Sequence, residues 1–154
     1  MEIPITIRQV TLSDLDEILA IEEANFSSEE AFSRQSLEES IRKTADTFLV
    51  ARDENQLVGY ILGEAQSLHP KWIAIKSLTI HPDHCGQGLG TLLIAALKQE
   101  TVELDYQGIF LQSPDELLSY FEMNGFVEEV TESHYGSGSE RHLIWANPFY
   151  QEEI

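Results

Sequence analysis

The sequence predicts a single mixed α/β domain, a sheet with helices on its faces, and three observations lead there. The elements read in the order β-α-α-β-β-β-α-β-α-β-β, three consecutive strands followed by two strand–helix alternations. The chain has 154 residues, enough for one domain with a sizeable core and too few for two of ordinary size. Hydrophobic residues make up 42% of it, with seven Phe, five Tyr and two Trp, so wholesale disorder is excluded.

Ile3 to Val10 alternates apolar and polar residues, with Ile3, Ile5 and Ile7 on one side, and reads as a half-buried strand. Ser13 followed by Asp16 resembles a capping box, and Leu15, Ile18, Leu19 and Ile21 form the stripe of a first helix. A second helix is expected from Ser36 to about Lys43. Thr47 to Arg52 and Leu57 to Gly63 form a hairpin around Asp53, Glu54 and Asn55. Trp72 to Ile80 is the next strand, and its alternation slips: Ile73 and Ile75 are in one phase, Leu78 and Ile80 in the other. Side chains alternate with period two, so the slip predicts a β-bulge near Lys76 and Ser77, unless both faces are buried and the phase carries no meaning.

Gly86 to Gly90 opens a helix with Leu89, Leu92, Leu93, Ala96 and Leu97 at helical spacing. Gly108 to Leu111 is a short strand. Ser113 as N-cap, Pro114 at the first helical position and Glu116 then mark a helix start, with Leu117, Leu118 and Phe121 as its apolar face and Asn124-Gly125 as its end. Phe126 to Val130 and His142 to Ala146 are the closing strands.

Nine basic residues stand against twenty-seven acidic ones, a net charge of -18. Phosphate backbones and anionic membranes repel such a chain, so no nucleic acid and no membrane partner is expected. The one cysteine, Cys85, rules out an intrachain disulfide framework, and the histidines lack metal-ligand spacing on one helix, so no metal is expected. Met1 to Val10 has no apolar region behind basic residues, and the longest apolar run, Leu92 to Leu97, is far short of the roughly 20 residues that span a bilayer. A soluble, cytoplasmic protein is the expectation.

Gly86, Gly88 and Gly90 at a strand-to-helix turn let a ligand approach the backbone, and the first N–H groups of the helix favour an anion such as phosphate. A tight turn is the plainer alternative. No lysine follows before Lys98, which excludes a Walker loop, and the glycine spacing excludes a dinucleotide fingerprint.

Leu78-Thr79-Ile80, His81-Pro82 and Gly86-Gln87-Gly88-Leu89-Gly90 together resemble the acetyl-CoA-binding motif of the GNAT acetyltransferases, a Gln/Arg-x-x-Gly-x-Gly/Ala turn after a bulged strand. Tyr120-Phe121-Glu122-Met123-Asn124-Gly125-Phe126 is similar to the second family motif, a helix ending in Tyr-Glu-Lys-x-Gly-Phe. The beginning, with Ile21-Glu22-Glu23-Ala24-Asn25-Phe26 and Phe48-Leu49-Val50-Ala51, is most similar to the arylalkylamine N-acetyltransferase-like branch. The resemblance covers essentially the whole chain, residues 1–154 as one domain. It implies a GNAT-like, mostly antiparallel sheet with helices on both faces and a bulged central strand. It also implies acetyl-CoA as co-substrate, with the pantetheine arm on the backbone of Leu78, Thr79 and Ile80. The pyrophosphate would then lie on the N–H groups of Gly86, Gln87, Gly88, Leu89, Gly90 and Thr91.

Three features depart from the family pattern. Cys85 replaces an Arg or Gln near the phosphates, Phe121 replaces the tyrosine near the thiol, and Ala74 and Lys76 replace paired histidines. Amine acetylation still needs a proton acceptor, because an alkylammonium has a pKa near ~10. Glu64, at the end of an apolar strand, is the expected base, with Glu22 and Glu23 as further candidates. Tyr120 is the hydroxyl nearest the vacant acid position, although one residue along a helix turns the side chain by about 100°, toward packing. His134, in Ser133-His134-Tyr135-Gly136, is a candidate wall of the acceptor site.

The expected function is transfer of an acetyl group to a primary amine by direct attack in a ternary complex. The acceptor is expected to be small and cationic, drawn by Glu22, Glu23, Glu29, Glu30, Glu38 and Glu39. The alternatives are acetylation of a protein N-terminus or lysine, and a non-catalytic acyl-CoA-binding module. The partners are a small-molecule amine and, as an open alternative, a second copy of the chain in a homodimer.

Overall fold

The computed structural model describes residues 4–27, 32–129 and 140–151. The elements are β1 (Thr6–Gln9), α1 (Leu15–Asn25), α2 (Arg34–Thr44), β2 (Phe48–Arg52), β3 (Leu57–Ala65), β4 (Trp72–Ile80), α3 (Leu89–Glu103), β5 (Gly108–Pro114), α4 (Leu118–Met123), β6 (Val127–Glu128) and β7 (Glu140–Ala146). Among the described residues the strands form one seven-stranded sheet in the order β1-β2-β3-β4-β5-β7-β6. Every neighbouring pair is antiparallel except β4 with β5, which is parallel. The expected mixed, mostly antiparallel sheet with a bulged central strand is what the chain forms.

β3 divides the core in two, its alternation reset at Val58 by a register shift against β2. Val58 and Ile61 pack under α3 with Leu89, Leu93 and Leu97, and Phe121 of α4 joins that cluster. Tyr60 and Leu62 face the other way and pack under α1 and α2 with Ile18, Ile21, Leu37 and Ile41. Helices therefore cover both faces.

Three expected helix starts are displaced, each for a physical reason. The cap before α1 is not Ser13 with Asp16. Thr11 is the N-cap of a short 3-10 turn, and the Asp14 carboxylate accepts the Thr11 backbone N–H at 2.8 Å. Asp14 is 1% exposed and bridges two strands: the Arg8 guanidinium donates to it in a fork at 2.8 Å twice, and Arg52 at 3.2 Å. An exposed Asp16 could not make these bonds. Ser113, likewise, is not an N-cap. β7 extends the ladder along β5 as far as Pro114, so Ser113 lies inside a strand, paired with Arg141. The helix begins instead with a 3-10 turn over Asp115–Leu117 and becomes regular at Leu118. The last expected strand pair is shorter on one side, with Phe126 in the core and β6 confined to Val127–Glu128. The second helix starts earlier than Ser36, capped by Ser33, whose side chain accepts the Ser36 N–H at 3.1 Å.

Burial alone would push the Asp14 carboxyl up, but the Arg8 guanidinium and the Thr11 N–H outweigh it and hold it below the usual carboxylate value. A depressed folded-state pKa stabilises the protein above the unfolded value near ~3.9, and that contribution disappears as pH falls through the folded value. Asp14→Asn should cost about 3 kcal/mol in urea unfolding at pH 7. The gap to wild type should close on acidification below pH ~4. An equal gap at pH 3 and pH 7 would show that the charge on Asp14 does not carry the effect.

Candidate active site

The site begins where the sheet stops being a sheet. β4 and β5 pair only over Trp72–Ala74 and Gly108–Phe110, then part, although β4 continues to Ile80 and β5 to Pro114. At that point the register of β4 on β3 jumps from Ile75↔Gly63 to Ser77↔Leu62, leaving Lys76 unpaired. This is the bulge expected near Lys76 and Ser77. A bulge bends and twists its own strand, and here it turns Leu78, Thr79 and Ile80 away from β5. Their β5-facing backbone groups have no strand partner.

The glycine turn closes the open end of this wedge. Gly86 and Gly88 have φ of +81° and +80°, and a Cβ placed on either would meet no heavy atom within 4 Å. Gly88 is the N-cap of the fifteen-residue α3, and no side chain caps it. The first N–H groups of the helix are therefore free for an anion. Gln87 and Thr91 are exposed around the turn, whereas Leu89 is buried and anchors it. Cys85 is exposed, and its thiol donates to the His81 carbonyl at 3.7 Å. His81 caps the 3-10 turn after β4, its Nδ1 accepting from the Asp83 N–H at 3.1 Å.

Tyr120 is brought to this turn. A Cβ on Gly90 would collide with the Tyr120 hydroxyl, and would lie 3.9 Å from Leu78 Cδ2. Three predicted site residues from β4, α3 and α4 thus meet at one point. Phe121 sits behind them, 8% exposed, its ring edge-on to Tyr120 at 5.3 Å and to Phe126 at 5.9 Å. It belongs to the core cluster beneath α3. Lys98, which the sequence did not mark as functional, holds this corner together. Its ammonium donates to the Asn124 carbonyl and lies over the rings of Phe126 and Trp145, at 5.6 and 5.3 Å. Burial lowers the Lys98 pKa.

On the α1/α2 side of the sheet a cavity of about 370 Å³ lies over β5 and β7. Trp72, Phe110 and Ile144 form apolar walls, and His69, His142 and Glu129 supply polar groups. Phe110 pairs with Ala74 at the last rung before the strands part, so the cavity adjoins the wedge. No local motif announces these residues, because sheet pairing gathers them from four separate stretches. Glu64 is not among them. It lies half-buried on the same face, where Ser40 Oγ donates to its Oε1 at 3.0 Å. His134 lies outside the described residues. Among the described residues no three His, Cys, Asp or Glu side chains gather to hold a metal, and no helix is long and apolar enough to cross a membrane.

A family model described as an acetyltransferase (GNAT) domain matches residues 14–141. The chain belongs to the GNAT family. Comparison with curated proteins finds no match, but solved structures share its fold. Ard1 from Thermoplasma volcanium is 19% identical at a TM-score of 0.76, covering 96% of this chain and 99% of its own. The PaiA N-acetyltransferase of Thermoplasma acidophilum, solved with coenzyme A, is 18% identical at 0.76, over 93% and 99%. Diaminobutyrate acetyltransferase from Paenibacillus lautus, solved with L-2,4-diaminobutyric acid and coenzyme A, is 15% identical at 0.75, over 99% and 100%. This GNAT chain is an N-acetyltransferase with acetyl-CoA as co-substrate, and the open, positive-φ glycine turn suits a pyrophosphate.

The turn makes a graded prediction. Gly88→Val places a branched side chain at positive φ and in the anion's space, so it should abolish the rise in melting temperature that coenzyme A produces. Gly90→Ala should weaken that rise by collision with the Tyr120 hydroxyl, and adding Tyr120→Phe should restore it. An undiminished rise in Gly88→Val would place the pyrophosphate elsewhere.

Proposed function

We propose that this enzyme acetylates the primary amine of a small cationic molecule, by direct attack in a ternary complex, as in the arylalkylamine-like branch. The observation that carries the reading is the cavity beside the wedge, open to the sheet face opposite α3. A donor entering from the α3 side and an acceptor held over β5 and β7 would meet where the strands part. Trp72 and Phe110 offer flat apolar walls to an aryl or alkyl body, and Glu129 offers a carboxylate to a cation.

Bound acetyl-CoA supplies an activated acetyl thioester. In this reading the backbone of Leu78, Thr79 and Ile80, which has no strand on its β5 side, holds the pantetheine arm, and Gly86 to Thr91 hold the pyrophosphate. Tyr120, its hydroxyl over Gly90, protonates the departing sulfur in place of the missing tyrosine at Phe121. A thiol of pKa near ~8.5 leaves with moderate ease, so this acid speeds the reaction without being indispensable. Recruitment by charge rests on fewer residues than the sequence suggested. Glu22 is buried, Glu38 is paired with Arg42 at 2.7 Å, and Glu29 and Glu30 lie outside the described residues, which leaves exposed Glu23 and Glu39 on α1 and α2 within a chain of net charge -18.

Thiol release across a panel of amines, at low and physiological salt, tests this. Small cationic amines should give the highest kcat/KM, falling as the Debye length shortens to about 8 Å. Preference for peptide N-termini or for carboxylate-bearing acceptors would overturn it. Tyr120→Phe should lower the single-turnover rate about 10²-fold and leave the coenzyme A melting shift intact. An unchanged rate would confine Tyr120 to packing.

A further inference from the structure

We propose that Glu22 is the store for the proton the acceptor amine gives up, reached through the hydroxyls of Thr79 and Ser77. The inference rests on the acetyl-transfer reading above and supplies the base it lacks.

Glu22 is the charged residue on the sheet-facing stripe of α1, and it is 1% exposed. Its Oε2 accepts the Phe32 N–H at 3.2 Å, while its Oε1 is buried with no hydrogen-bond partner among the described residues. The hydroxyl of Tyr60, 0% exposed in the layer beneath α1 and α2, is likewise without a partner. Buried polar groups are rarely left open, so two in one layer call for a bridging water or a proton. Cross-strand pairing places Tyr60 beside Thr79, and Leu62 beside Ser77, all on the α1/α2 face. Asn25, one turn beyond Glu22, donates to the Ile80 carbonyl at 3.3 Å and pins α1 over this part of β4.

Ser77 and Thr79 complete the path. Their hydroxyls are 2.8 Å apart, Thr79 buried and Ser77 half-exposed at the bulge, where β4 leaves β5. The Ser77–Thr79 pair, the Tyr60 phenol and the Glu22 carboxyl thus share the α1/α2 side of the sheet, and a bridging water would join the hydroxyl pair to the carboxyl. As the N–C bond forms and the acyl C–S bond breaks, the proton leaving nitrogen ends on Glu22, and the sulfur takes its own from Tyr120.

Glu22 is suited to the task. Burial pushes its carboxyl up, against the downward pull of the Phe32 N–H. α1 packs on β3, β4 and α2, whose groups on that face are the phenol of Tyr60, the hydroxyls of Ser77 and Thr79, and apolar Leu37 and Ile41. His81, Asp83 and His84 lie on the turn packed against α1, and no ion pair involves Glu22. A carboxylate so placed gains from protonation. Glu64 is bonded to Ser40 and lies outside this cluster.

The test is Glu22→Gln, which keeps an acceptor for Phe32. The single-turnover rate should fall about 10²-fold at neutral pH, the acid limb of the pH–rate profile should vanish, and coenzyme A affinity should not change. Tyr60→Phe should shift that limb while keeping most of the rate. Carboxyl carbon NMR of the wild-type protein should show Glu22 titrating above the ordinary glutamate value, a readout that needs no activity. A wild-type pH profile in Glu22→Gln, or a Glu22 titration at or below the ordinary value, overturns the proposal. Failure of the wild-type protein to acetylate any amine would overturn the acetyl-transfer reading instead.

Discussion

Everything at this site depends on one broken ladder. A strand in the middle of a seven-stranded sheet normally satisfies its backbone on both edges, and a buried N–H or C=O left open costs about 1–3 kcal/mol. β4 gives up that pairing after Ala74. The separation is held from three sides: the Lys76 bulge twists β4, β7 keeps β5 straight by pairing with it to Pro114, and Tyr120 is packed against Gly90 at the mouth. The result is a row of backbone groups already positioned for an amide-bearing ligand. A rigid scaffold bears the cost of leaving them open, so a ligand finds them with little to reorder.

Cations are scarce in this chain, and most of them are committed to holding elements in place. Arg8 and Arg52 converge on Asp14 and fasten α1 to β1 and β2. Arg52 also meets Glu17, which accepts the Leu57 N–H of β3 at 2.8 Å. Arg141 joins β7 to Asp115 and Glu128, and Lys98 ties α3 to the end of α4. With so few basic groups free at the surface, the field outside the protein is that of its carboxylates.

Much of the fold was legible because it is written in local periodicity. The phase slip between Ile75 and Leu78 located the bulge, and the alternate glycines located the turn. The errors share a cause: long-range pairing overrode a good local signal. Ser113-Pro114 has the residues of a helix start, yet the β5–β7 ladder is worth more than one cap. Ser13-Asp16 has the spacing of a capping box, yet Asp14 can also reach two guanidinium groups from strands far along the chain. The cavity residues Trp72, Phe110, Glu129 and His142 carry no mutual spacing, since only the parallel β4–β5 rung and the β5–β7 ladder bring them together.

The same override decides which aromatic ring faces the wedge. Had the helix begun at Pro114, its register would have been set by Ser113. Because β5 runs through Pro114, the regular helix starts at Leu118, and its phase is fixed by what the core accepts. Phe121, with no polar atom, fills the space between Phe126 and the α3 side of the sheet. Each residue turns a helix by about 100°, so burying Phe121 carries Tyr120 round toward the first turn of α3. There its hydroxyl finds room only because position 90 is glycine. Gly90 and Tyr120 therefore form a matched pair. A side chain at the first would displace the hydroxyl of the second.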